Sequence, residues 1–70
     1  MDRMLVTDER IKVIGYEPRK LDLEIVFTEG DKRLYIGVPA TVYLALMQAE
    51  NKAEFFAKKI ENTFVYHSFK

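Results

Sequence analysis

From Leu21 onward, apolar residues (Leu21, Leu23, Ile25, Phe27) alternate with Asp22, Glu24, Val26 and Thr28. A strict period of two predicts a strand over residues 21–28 with one buried face. Ahead of it, Ile11, Val13 and Ile14 are apolar and β-branched and predict a strand over residues 10–16. Pro18 fixes its own φ and pushes Glu17 out of the helical region, which makes residues 17–20 a turn. Glu29-Gly30-Asp31 reads as a hairpin turn, and residues 32–36 as the returning third strand. Gly37 and Pro39 end the sheet, and Pro39 suits the first position of a helix.

Past Pro39 the period becomes helical. Over residues 40–50, Val42, Ala45, Leu46 and Ala49 share one side. Asn51 and Glu54 have the spacing of a capping box, which starts a second helix over residues 52–62. Its core stripe is Ala53, Phe56, Ala57 and Ile60, continued by Phe64. The tail, residues 63–69, is rich in β-formers and offers a short fourth strand at the sheet edge. The expected fold is α+β: a three-stranded antiparallel β-meander, with that short C-terminal addition, packed against a two-helix hairpin.

Seventy residues fit one domain over residues 1–70, with one thin core. Cysteine is absent, so neither a disulfide framework nor a Cys-based zinc site is expected. No apolar run approaches the roughly 20 residues needed to cross a bilayer. The first residues lack the basic segment, apolar stretch and cleavage site of a secretory signal, so a cytoplasmic setting is expected. Eleven basic residues balance eleven acidic ones. That balance argues against gripping nucleic acid by bulk charge but leaves room for a local basic patch.

The ordered set Ile14-Gly15-Tyr16-Glu17, Tyr35-Ile36-Gly37-Val38-Pro39, Val42-Tyr43, Leu46, Glu50, Phe55-Phe56 and Ile60 resembles the KTSC domain. That family takes its name from the C-terminal region of some lysyl-tRNA synthetases and also occurs as small stand-alone bacterial proteins. The resemblance implies the meander-plus-helices fold and suggests an RNA partner such as tRNA. The family tends to carry a Tyr-x-Tyr pair on the third strand; here Arg33 stands at the first position and Tyr35 at the second. If the pair only packs a core, Arg33 must snorkel or the register must shift. Ala57 replaces an asparagine often found after the aromatic pair.

Two binding surfaces compete. For RNA, Tyr35 and Phe55 would stack on bases, at about 1–3 kcal/mol per base, while Arg33, Lys52 and Lys59 meet phosphates. Phe55 supports this reading, because on a wheel it falls nearly opposite the second helix's core stripe, among lysines. Against it, so small a domain needs its aromatics, Tyr16, Tyr35 and Tyr43 included, for burial. For a protein partner or a homodimer, Tyr43, Leu44 and Met47 form an apolar shoulder outside the first helix's core stripe, and Phe55 could join it. Arg19, Lys20 and Lys32 read as solvated turn and strand-end charges. Catalysis is not expected. The single histidine, His67, has no nucleophile or second ligand beside it, and the carboxylates show no pairing pattern. The three glycines lie too far apart to cradle a phosphate. No cofactor and no metal is expected.

Overall fold

The computed structural model of the protein describes residues 2–6 and 8–69. Five strands, β1 (Asp2–Leu5), β2 (Ile11–Glu17), β3 (Asp22–Phe27), β4 (Lys32–Tyr35) and β5 (Tyr66–Phe69), form one antiparallel sheet in sequence order. Helices α1 (Ala40–Gln48) and α2 (Lys52–Lys59) lie between β4 and β5 in the chain. The fold is α+β, as expected, but the sheet is larger at both edges. The expected tail strand forms β5, shortened to its last four residues. The first strand, β1, was not anticipated. Its four residues, two of them charged, are too few to show a period.

Directly opposed residues share a face of the sheet. The register Ile14↔Ile25, Tyr16↔Leu23, Leu23↔Tyr35 and Ile25↔Arg33 defines the face that carries the core. Leu46 of α1, Phe56 of α2, and Ile60 and Val38 from the flanking loops close over it, all fully buried. The Tyr16 hydroxyl donates to the Val38 carbonyl at 2.6 Å, inside the core. This bond ties β2 to the loop that delivers the chain into α1.

The opposite face holds Arg3, Gly15, Glu24, Leu34 and His67 in one row across all five strands. Glu24 is almost fully buried there without any helix above it. Gly15 beside it contributes no side chain, and Arg3 (2.8 Å) and Lys32 (3.8 Å) close over its carboxylate from either side.

Several local expectations change. Leu21 is not in the buried face of a strand; it sits in the turn with φ 58° and is 41% exposed. The strand starts one residue later, at Asp22, because the backbone needs a left-handed residue to leave the Pro18 turn. The Leu21 carbonyl then accepts from the Val38 N–H at 2.8 Å. Pro39 is the extended N-cap of α1, one position before the expected one. Ala45 is exposed, which narrows the α1 stripe.

Helix α2 starts where expected, but only half of the capping box forms. Asn51 Oδ1 accepts from the Glu54 N–H (3.0 Å). The second cap comes from far away in sequence: Asp8 Oδ2 accepts from the Ala53 N–H at 3.1 Å. Glu54 instead pairs with Lys58 one turn on. The helix ends at Lys59 and not at Asn62, because Ile60 leaves helical geometry and turns the chain back toward the sheet. The Phe56 carbonyl accepts from both Ile60 and Glu61 N–H groups at this point. Gly30, at φ 104°, supplies the left-handed residue that the β3–β4 hairpin requires.

Candidate functional site

Arg33 and Tyr35 lie two residues apart on β4, so both point to the helix side of the sheet. Tyr35 is fully buried. Its ring meets Phe56 edge-on (5.5 Å between centroids) and Tyr66 at a tilt (4.9 Å). No face is left on which a base could stack, which overturns its expected role as a platform. Arg33 keeps the register and snorkels. Its guanidinium lies 4.9 Å from the Phe27 ring and 4.6 Å from the Tyr66 ring. Its Nη1 donates to the Tyr35 hydroxyl and to Glu61 Oε2, both at 3.0 Å.

Glu61 is the centre of this cluster. Arg10 grips the same carboxylate with two parallel bonds, at 3.0 and 2.6 Å, while its guanidinium lies over Phe27 and Phe56. Hydrogen bonds from Arg10 hold the Glu61 carboxyl at about 2, well below its usual range; burial opposes this shift and Arg33 reinforces it. The pairing with Glu61 raises Arg10 in turn. For Arg33, burial pulls downward, but the bonds to Tyr35 and Glu61 prevail and raise it. Burial lifts the Tyr35 phenol, with the Arg33 bond acting against it. Two cations, one carboxylate and four rings thus fasten the chain after α2 to the sheet end. Their charges are mutually engaged, which leaves Arg33 poorly placed to grip a phosphate.

The other expected RNA contacts do not join this cluster. Lys52 donates its ammonium to the Ala49 carbonyl (3.0 Å) and lines a cleft with Met4, Val6 and Met47, on the side of β1. Phe55 is half-buried and packed against the edge of the core, so its wheel position overstates its exposure. It lines a shallow groove with Lys58 and Lys59, but Glu50 and Glu54 line it too. Lys59 is exposed there, in a field of mixed sign. The five residues expected to act on RNA are therefore spread over three places.

The expected protein-contact residues fare differently. Tyr43 stacks flat on Tyr16, with centroids 4.5 Å apart and planes 8° from parallel. Leu44, one residue on, is 54% exposed. With Pro18 and Ala40 they line a recess of about 200 Å³. Burial raises the Tyr16 phenol, and its hydroxyl is already spent on Val38, so this recess presents mainly carbon. Met47 is half-buried and faces the β1 cleft instead. Sequence reasoning singled out Tyr43 and Leu44 but not Pro18 and Ala40, which line the same recess, since only the fold brings that turn to α1. It also missed Arg10 and Glu61, whose pairing spans 51 positions of the chain.

Among the described residues no group of three or more His, Asp or Glu side chains could hold a metal ion. Nor is any helix among them long and apolar enough to cross a membrane. A search of curated proteins found no match. The family model of the KTSC domain matches residues 7–64. The crystal structure of a KTSC domain protein from Yersinia pestis is similar throughout, with a TM-score of 0.91 and 34% identity over 99% of this chain and 97% of that one. The Tyr35–Pro39 segment, the buried Tyr16 and the α2 aromatic pair thus sit in the frame of a known fold, and this chain belongs to the KTSC domain family.

Proposed function

We propose that the protein is a non-catalytic protein-binding module, and that the recess of Tyr16, Pro18, Ala40, Tyr43 and Leu44 receives an apolar side chain of its partner. The observation that carries this reading is the gathering of Tyr43 and Leu44 with a second tyrosine and a proline around one mainly apolar concavity. A pocket of stacked tyrosines beside a proline suits leucine, proline or an aromatic side chain held on an extended segment. The occupant gains by burying carbon, and the pocket offers little to hold a charge.

RNA binding, which the family resemblance suggested, has less support. Tyr35 is enclosed, Arg33 and Lys52 are engaged within the fold, and Lys59 stands among carboxylates.

The test is selection of peptides from a displayed random library, with Leu44→Asp as the counter-target. Sequences with a shared apolar anchor should be enriched on the natural protein and lost on the variant. Failure to enrich any, or equal retention on Leu44→Asp, overturns the reading. Titration of labelled single-stranded RNA at two salt concentrations tests the alternative, because phosphate contacts must weaken as salt rises.

A further inference from the structure

The recess accounts for only part of the apolar surface. Among the described residues, the large hydrophobics left open outside it are Leu21 in its turn, Met4 and Leu5 on β1, and Val65 (73%), Tyr66 (42%) and Phe69 (45%), the last three on β5 or the residue before it. This strand closes the sheet on one side and pairs only with β4. Edge strands usually carry a lysine, a proline or a bulge that discourages further pairing. At the other edge, β1 carries Arg3. Strand β5 reads Tyr-His-Ser-Phe, with no lysine, arginine, carboxylate or proline, and its register with β4 runs without a break.

The direction of its free backbone groups follows from the ladder. The Ile36 N–H donates to the Val65 carbonyl at 2.9 Å, which makes this a hydrogen-bonded pair. Such pairs alternate along an antiparallel ladder, so His67 and Phe69 also spend their backbone groups on β4. The N–H and C=O groups of Tyr66 and Ser68 therefore point outward.

We infer that β5 is a self-association edge that pairs antiparallel with β5 of a second copy about a two-fold axis at His67. A two-fold axis perpendicular to a sheet requires paired residues to share a face, hence an even sum of residue numbers. Pairing His67 with its own copy meets that condition. It sets Tyr66 opposite Ser68 of the second copy, and these are the residues whose backbone groups are free to exchange bonds. Val65 then faces Phe69 of the second copy, twice, on the face away from the helices. The most exposed apolar residues of the edge thus become cross-strand neighbours. The occupant is a second copy because one register satisfies the backbone, the faces and the apolar pairs together. The balance of eleven basic and eleven acidic residues sets no net repulsion against it. The result is one continuous ten-stranded sheet with all four helices on the same side. This surface is separate from the Leu44 recess, so either proposal can fail alone.

The chain has no cysteine, which makes the test direct. His67→Cys would place two thiols across a non-hydrogen-bonded pair, within reach of a disulfide. Mild oxidation should convert His67→Cys to a covalent dimer, while Arg19→Cys in the exposed turn stays monomeric. A His67→Cys protein that remains monomeric, or an Arg19→Cys protein that cross-links as fast, overturns the inference. Sedimentation equilibrium supplies the second arm. Ser68→Pro removes an outward N–H and none that β4 uses, so the folded monomer should persist with dimer affinity weakened at least ~10-fold. Natural protein that is monomeric at every concentration, or a folded Ser68→Pro protein that dimerises equally well, also overturns it.

Discussion

Replacing Glu61 by glutamine tests the sheet-end cluster most sharply. The side chain keeps its shape, but two guanidinium groups lose the charge that holds them. The magnitude follows from the carboxyl's position at about 2 against its ordinary 4.5. At about 1.4 kcal/mol per unit, the ceiling is roughly 3 kcal/mol. Glu61 is 20% exposed and Arg10 40%, so solvent screening reduces this to about 1–2 kcal/mol. In so small a domain that loss lowers Tm by about 5–15 °C. The folded-state value is depressed, so the contribution is complete above the ordinary carboxyl range and fades as pH falls from about 4.5 toward about 2. Urea unfolding of both proteins from neutral pH down to about 2 reads the effect, because other carboxylates titrate in both and largely cancel in the difference. The gap should be widest at neutral pH and should close toward pH 2. A gap that is unchanged at low pH, or absent at neutral pH, would refute the claim that Glu61 works as a charge between the two arginines.

Two further predictions concern the backbone. Asp8→Ala and Asn51→Ala each remove one side-chain cap from α2 and should each cost about 1 kcal/mol, with faster hydrogen exchange at the Ala53 and Glu54 amides. Leu21→Gly relieves a left-handed φ at an exposed residue and should stabilise the fold by up to ~1 kcal/mol; a lower urea midpoint would show that the Leu21 side chain matters more than its backbone strain.

What the sequence made legible was local. The alternation around Ile25 and the helical stripe through Phe56 located the core, because burial on one face leaves a period in the chain. The Asn51 signal correctly split the helical region in two. Strand β1 was invisible because four residues carry no period, and it gains its place by pairing with β2 and through the Arg3–Glu24 bridge to β3. Asp8 as the second cap of α2, and Arg10 with Arg33 around Glu61, were invisible for a different reason. Each joins distant segments, and no spacing rule reaches so far. The position of Phe55 was misjudged because a wheel knows only its own helix. It cannot see the neighbouring junction that half-covers the ring.

Arg33 shows how one residue can change the meaning of a motif without changing the fold. As a sequence feature it interrupts a tyrosine pair and invites a choice between a shifted register and a lost platform. In the structure the register holds and Tyr35 is buried. Position 33 is at the open end of the helix-facing side, where a guanidinium can lie on Phe27 and Tyr66 and still reach Glu61. An arginine suits this place better than a lysine would, since its flat fork can face two rings and bond a phenol and a carboxylate at once. The aromatic residues that suggested base stacking are the walls of that arrangement. They are consumed in holding a cation that belongs to the fold. The recognition surface is better sought where aromatic carbon holds no cation of the fold, at the Leu44 recess, where Tyr16 and Tyr43 stack only on each other.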